Sequence, residues 1–428
     1  MTSMSTNLRG LLDDAARKYG VPGAAVAVGH RGEVDEAATG VLNRDTGVAA
    51  TPDSIFQIGS VTKPLTAMLV LQLLGDDLDE PVRRHLPGFA VVDPVASETV
   101  TVRHLLTHAG GFDGDLFEDT GRGDDALDRY LAYLATAARQ VHPVGALYSY
   151  CNAGFSVLGA LVAKLTGGTW ESALRERLIE PLGLTHMTTC AEEAILHRVS
   201  AGHYDQTVAT PWQLPRSLGP VGAVVCAAPR DLVTVGRVLA SDDAYAAMRE
   251  HWIDIPGVPG REPRQYGLGL ARYDWNGVPV FGHNGTTIAQ TTQLRVVPGH
   301  DLVIAISANG GNDAAFHDAV LDQVVADRTG LTVPPRPVPP ATTAPGPEEL
   351  AGRYSYSRHT YDVVTTGDGL EVTANERWLD ATETRTTRYV ALAGDTFVTA
   401  EPDFGVRTTI TFLDGGRYLH GGRAAKRT

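Results

Sequence analysis

Three short clusters, far apart in the chain, carry side chains able to do covalent chemistry. The first is Ser60-Val61-Thr62-Lys63, followed by the apolar spacing of a helix. Residues three apart on a helix share a face, so the Lys63 amine can sit beside the Ser60 hydroxyl. A serine at the leading end of a helix also meets the positive end of the helix dipole and free N–H groups able to receive an oxyanion. Pro64 is tolerated only because it falls in the first turn or so. The second cluster is Tyr150-Cys151-Asn152, in LYSYCNAGF. A serine hydroxyl is a poor nucleophile until a neighbour takes its proton. Lys63 can do so if burial and a nearby cation lower its pKa, and Tyr150 can do so as a phenolate held by cations. Asn152 is placed to hydrogen-bond Lys63 and a substrate amide, and also to cap the helix that starts there. The third cluster is His283-Asn284-Gly285, in VFGHNGTT. A histidine at a strand end can aim its ring into a cleft while the glycine lets a substrate backbone approach.

The elements that must position these residues follow from the apolar periodicity. An amphipathic helix opens the chain, with Leu8, Leu11, Leu12, Ala15 and Tyr19 on one face. A hairpin over Gly23–Asn43 turns at His30-Arg31-Gly32. A helix is expected from about Ser60 to Leu74. The stretch from about Val102 to Ala240 is helix-rich, with helices from Asp124, from Asn152 and from Pro229. Strands return at Tyr266, with turns at Asn276-Gly277 and at Pro298–Asp301, and a helix from about Asn312 to Arg328 closes the unit. This order predicts one antiparallel sheet built from both ends of the unit, with a helical insertion over about 100–250. The proline-rich run 333–348 reads as a linker. Beyond it, 349–428 holds short β-like runs such as SRHTYDVVTT, GLEVTAN and RTTITFLD, expected to form a small antiparallel sheet or barrel.

Taken in order, Ser-x-x-Lys, Tyr-x-Asn and His-x-Gly resemble the serine β-lactamase and penicillin-binding-protein superfamily. The closest resemblance is to the branch of class C β-lactamases, D-aminopeptidases, D,D-carboxypeptidases and related esterases. DSIFQIGSVTK, VTVRHLLTHAGGF, RLIEPLGL, YGLGL and GHNGTT support it, over about residues 7 to 330. The resemblance implies an α/β (α+β) catalytic domain over 1–332 with an acyl-Ser60 intermediate. Lys63 and Tyr150 would serve as general base and acid, and Asn152, Gly285 and Thr286 as substrate-binding residues. Thr286 or Thr287 would supply the second oxyanion N–H. His283 stands where class C β-lactamases carry the lysine of Lys-Thr-Gly, which fits the peptidase, esterase and acyl-transfer members better than a β-lactamase. The C-terminal segment resembles the lipocalin-like domain appended to several such enzymes.

Composition bounds the partners. The net charge of -14 argues against nucleic acid, since phosphate contacts need clustered Lys and Arg. The acidic run Asp113, Asp115, Glu118, Asp119, Asp124, Asp125 lacks EF-hand spacing and reads as a solvated loop. His104 and His108 are four apart, but no carboxylate base lies between them, so the zinc reading is set aside and neither metal nor cofactor is expected. Trp170, Trp212 and Trp252 read as aromatic core, and Cys151 as a spectator beside the site. No stretch has the apolar length of a membrane span, and the N-terminus lacks the pattern of a signal peptide, so a cytoplasmic location is expected. The three cysteines give no disulfide framework. The expected partners are a small-molecule or peptide substrate and, if the enzyme is a thioesterase that releases and cyclises peptides, a peptidyl carrier protein. A binding protein that keeps the fold without catalysis is the reading from a different class.

Overall fold

The computed structural model describes residues 7–378, 381–403 and 405–428. Asn7 caps helix α1 (Leu8–Tyr19) by accepting the Gly10 N–H, and Gly20 ends it in the left-handed conformation. Strands β1 (Gly23–His30) and β2 (Glu33–Asn43) form the expected hairpin, with Arg31 and Gly32 at positive φ in the turn. Three helices dominate the middle of the unit after α2 (Thr62–Leu74): α3 (Ala126–Ala137), α4 (Asn152–Thr166) and α5 (Pro229–Ser241). Strands β3 (Ala271–Trp275), β4 (Val278–Thr286), β5 (Thr291–Val297) and β6 (Leu302–Ala308) follow, then helix α6 (Asp313–Thr329).

The sheet is built from both ends of the unit. β1 pairs with β6, Val26 opposite Ile306, and the antiparallel order continues through β5, β4 and β3. All seven residues of β5 and of β6 are buried, so both faces must be covered. α5 packs on one face, where a side chain at Gly236 would strike Val303 at 2.5 Å. α1 and α6 cover the other face, with Leu12, Phe316 and Val320 in its core. Helix α2 is buried almost all round, from Thr62 to Leu71. It differs in detail from the expectation: residues Gly59–Val61 form a 3₁₀ turn, and the α-helix begins at Thr62.

Residues 333–347 contain no regular secondary structure, yet they do not behave as a free spacer. Val333 is buried in the sheet's second core, and Arg336 pairs with Asp318 and Glu262. The chain then forms a closed eight-stranded meander: β7 (Gly352–Tyr356), β8 (His359–Thr366), β9 (Gly369–Trp378), β10 (Ala381–Ala393), β11 (Thr396–Thr399), β12 (Thr409–Leu413), β13 (Tyr418–His420) and β14 (Ala424–Arg427). Pairing of Tyr354 with Arg427 closes the ring and leaves no free edge. Tyr354, Phe397, Phe412 and Leu419 fill it.

Where the barrel meets the larger unit, the solvated-loop reading of the acidic run fails at two positions. Glu118, Asp119, Asp124 and Asp125 are exposed, but Asp113 and Asp115 are buried, because the barrel supplies their partners. Asp113 accepts the Ser357 N–H at 2.7 Å, and Asp115 pairs with Arg423 at 2.5 Å. Burial pushes the Asp113 carboxyl up to about 6, with the charge of Asp115 adding to it and Arg139 opposing it. A carboxyl raised by folding favours the folded state while protonated and loses that contribution as pH rises through about 6. Asp113→Asn keeps an oxygen for Ser357 and removes the buried charge. Its thermal midpoint should match the parent near pH 4 and exceed it at pH 8 by the equivalent of roughly 2–3 kcal/mol; a lower midpoint at pH 8 refutes this account.

Candidate active site

Ser60 sits in the 3₁₀ turn that leads into α2, and Lys63 lies in the first turn of that helix. The Lys63 Nζ–Ser60 Oγ distance is 2.8 Å, and Nζ also donates to the Val221 carbonyl at 3.3 Å. Lys63 is wholly buried. Burial, then the charge of Arg423, hold its pKa well below that of a free lysine, with Asp115 opposing. The site therefore favours the neutral amine, which lies within hydrogen-bonding distance of the serine oxygen.

Tyr150 lies between these residues and the barrel. Its phenol hydrogen-bonds Ser60, and its ring centroid is 4.8 Å from Lys63 Nζ and 5.0 Å from the Arg423 guanidinium carbon. Burial raises its pKa well above that of a free phenol, although the Ser60 hydrogen bond and Arg423 pull the other way. The phenol thus keeps its proton. The barrel fixes this segment through its last hairpin: Tyr150 N–H donates to Gly422 O at 3.0 Å, Ala424 N–H to Ser149 Oγ at 3.0 Å, and the His420 ring Nε2 to Tyr148 O at 3.0 Å. Arg423 follows from that pairing and enters the cleft.

Asn152 departs from two expectations. Cys151, not Asn152, caps α4, its sulfur accepting the Gly154 N–H at 3.3 Å. Asn152 is the first helical residue, and its amide donates to Asp115 at 2.7 Å instead of reaching Lys63. Cys151 is buried, and burial pushes its thiol up to about 12, which keeps it unreactive.

His283, on β4, is buried, and its ring centroid lies 6.1 Å from that of Tyr150. Its protonation state follows from a chain of hydrogen bonds. The Cys151 N–H donates to His108 Nδ1 at 3.0 Å. His108 must then carry its proton on Nε2, which donates to the Tyr266 hydroxyl at 3.1 Å. Tyr266 in turn donates to His283 Nε2 at 3.1 Å, leaving the His283 proton on Nδ1, 2.5 Å from the Asn284 carbonyl. Burial, then Lys63, lower the His283 pKa to about 3, so the ring is neutral. His283 is an oriented wall of the cleft, with both ring nitrogens engaged.

The strand end completes the site. A side chain at Gly285 would meet Ile58 O at 1.9 Å and Ser60 N at 3.0 Å, and one at Gly59, whose φ is +51°, would meet Thr286 N at 2.6 Å. Only glycine permits this approach, which sets β4 against the serine turn. Thr287 N–H is engaged by Gln290 O at 2.9 Å, so of the two threonines left open by the sequence, Thr286 is the better placed to offer an N–H. The cleft measures about 590 Å³ and is lined by Ser60, Tyr150, Asn152, His283, Thr286 and Arg423 among others.

Sequence reasoning missed His108, Tyr266, Asp115 and Arg423. The usable signal for Arg423 was Gly421-Gly422, a hairpin turn dipeptide between YLH and RAAK. His104 does not face His108; it caps its own short helix through Thr101. Among the described residues no cluster of His, Cys, Asp or Glu can hold a metal. Trp170 is core, as expected, but Trp252 is partly exposed, with Arg103 stacked at 4.0 Å.

This geometry can be compared with known proteins. The Beta-lactamase family model matches residues 8–329. Penicillin-binding protein 4 of Amycolatopsis lactamdurans is 40% identical over 364 residues, covering 80% of this chain and 95% of that protein. The crystal structure of SurE with D-Leu superposes with a TM-score of 0.76 at 26% identity, covering 98% of both chains and hence the barrel as well. The D-amino acid amidase of Ochrobactrum anthropi SV3, complexed with L-phenylalanine amide, shares the fold at a TM-score of 0.62 and 22% identity, over 75% of this chain and 98% of its own. No described helix is long and apolar enough to cross a membrane. The chain belongs to the β-lactamase family of serine hydrolases.

Proposed function

We propose that this protein is a serine acyl-transfer enzyme acting on amides, esters or thioesters of peptide-like substrates. The observation that carries the reading is a lysine amine, wholly buried beside a guanidinium, 2.8 Å from a serine oxygen at a helix entrance. Neutral Lys63 takes the Ser60 proton as the oxygen attacks the carbonyl. The N–H groups of Ser60 and Thr286 receive the oxyanion. The Tyr150 phenol donates its proton to the leaving group and regains one from Lys63 along the Ser60 side of the cleft. Water or an amine then attacks the acyl-Ser60 ester by the same path in reverse. Asn152, held by Asp115, presents its free carbonyl oxygen to the substrate amide, and neutral His283 fixes the opposite wall.

The D-Leu bound in SurE supports a D-configured residue at the reacting carbonyl. A second reading has an amine as the acceptor, so that a peptide leaves a carrier-protein thioester as a ring. It is supported by the barrel hairpin at Gly422 and Arg423, which walls one side of the cleft. A panel crossing L- and D-amino-acid amides, esters and thioesters tests the substrate class. Incubation with a peptidyl thioester, followed by separation of cyclic from linear product, tests the acceptor.

A fluorophosphonate or β-lactam probe should add its mass to Ser60 and leave Ser60→Ala unlabelled while that variant stays folded; labelling elsewhere rules out acyl-Ser60. Lys63→Arg keeps a cation that cannot give up its proton and should lose at least about a hundredfold in acylation; near-normal acylation removes Lys63 as base. Since the base must be unprotonated, kcat/KM rises with pH through the Lys63 ionisation. Arg423→Gln removes a charge that favours the neutral amine, so this acid limb should move to higher pH; an unmoved limb means that Arg423 does not tune Lys63. Tyr266→Phe deletes the donor to His283 and should cost about tenfold in kcat/KM, the scale of one buried hydrogen bond. Nitrogen NMR should then show the His283 Nε2 resonance moving to that of an acceptor without a donor, while Nδ1–H, held by the Asn284 carbonyl, persists. An unmoved Nε2 resonance refutes the Tyr266 link in the chain of hydrogen bonds.

A further inference from the structure

A second cavity, of about 290 Å³, lies where the barrel meets the larger unit. It shares Tyr148, Glu262, Pro263 and Gly422 as walls with the cavity that holds Ser60. Two guanidiniums line it from opposite sides of the junction: Arg264, just before Tyr266, and Arg407, just before β12. Each is held by a carbonyl rather than a carboxylate. Arg264 Nε donates to Pro263 O at 2.9 Å, and Arg407 Nη2 donates to Ala400 O at 3.2 Å. Two carboxylates nearby in the chain are paired with other arginines, Glu262 with Arg336 and Asp403 with Arg385. Among the described residues, neither Arg264 nor Arg407 forms an ion pair.

Two cations lining one small cavity, where Glu262 is the one carboxylate among the described lining residues and is already paired with Arg336, repel each other and lose hydration. Burial already makes the Arg264 guanidinium less favourable, with only Glu262 and Tyr148 opposing. His420 does not add a third charge: its Nε2–H is committed to Tyr148 O, and burial lowers its pKa to about 4. Thr408, Thr409 and Thr411 add polar groups to the same wall. A planar carboxylate offers two acceptors to guanidinium forks.

We propose that this junction cavity is an anion subsite that holds a carboxylate on the acyl part of the substrate, away from the carbonyl that Ser60 attacks. The proposal rests on the acyl-Ser60 reading for its place in the reaction, but its test does not need turnover. Folded Ser60→Ala protein is titrated calorimetrically with D-phenylalanine methyl esters capped by succinyl, glutaryl or adipoyl groups. Each is paired with the uncharged acyl chain of matching length. At least one carboxylated ligand should bind about tenfold tighter than its partner, the scale of a charge-assisted hydrogen bond. Arg407→Ala and Arg264→Ala should each erase that preference and leave the uncharged partner's affinity unchanged, and Arg407→Lys should restore part of it. No preference in any pair overturns the proposal. So does a preference that survives both substitutions. Inorganic phosphate bound through these arginines, with no carboxylate preference, assigns the cavity to a phosphoryl ligand instead and also overturns it. A carboxylate preference in a protein that never labels at Ser60 sinks the acyl-enzyme reading and leaves the subsite standing.

Discussion

An ammonium taken out of water loses hydration worth several kcal/mol, and Lys63 has no exposed surface. Most features of the cleft follow from that constraint. The fold answers it by keeping the amine neutral, with a carbonyl and a serine oxygen as neighbours and a guanidinium on the far side of Tyr150. Arg423 in turn needs its own counter-charge, which Asp115 supplies from within the larger unit. Asp115 then holds Asn152 at the head of α4. One buried amine thus ties the serine helix, the acidic loop, α4 and the last hairpin of the barrel into one electrostatic unit.

The barrel's part in this unit alters the view of the C-terminal segment. It does not merely lie beside the cleft. Its backbone pairs with residues 149 and 150, and its arginine lies against the tyrosine ring. The rest of the junction is polar as well, from Asp113 with Ser357 to His420 with Tyr148. Polar contacts of this kind specify one docking geometry more sharply than apolar contacts, because a displaced partner leaves a buried group unsatisfied.

The sequence made the local parts of the site legible. Ser60 and Lys63 are three residues apart at one helix entrance, Tyr150 and Asn152 flank the start of another, and His283 lies near the end of a strand; each needs only short-range geometry. The antiparallel sheet was legible for the same reason, from apolar runs separated by Asn276-Gly277 and Pro298–Asp301. What stayed hidden depends on contacts across hundreds of residues. Asp113 and Asp115 sit in an acidic run that looks solvated until the barrel supplies Ser357 and Arg423. Asn152 looked like a cap because its neighbour's thiol is a rare substitute for one. Strands β7, β13 and β14 are short or interrupted by glycine, so no periodicity announced them.

The path from Cys151 through His108 and Tyr266 to His283 has one further consequence. A backbone amide stands at one end and a backbone carbonyl at the other, and neither can exchange its role. Every proton between them has a single allowed address, so the string cannot flip its polarity or pass a charge along. It insulates its flank of the cleft and confines mobile protons to the three groups around Ser60.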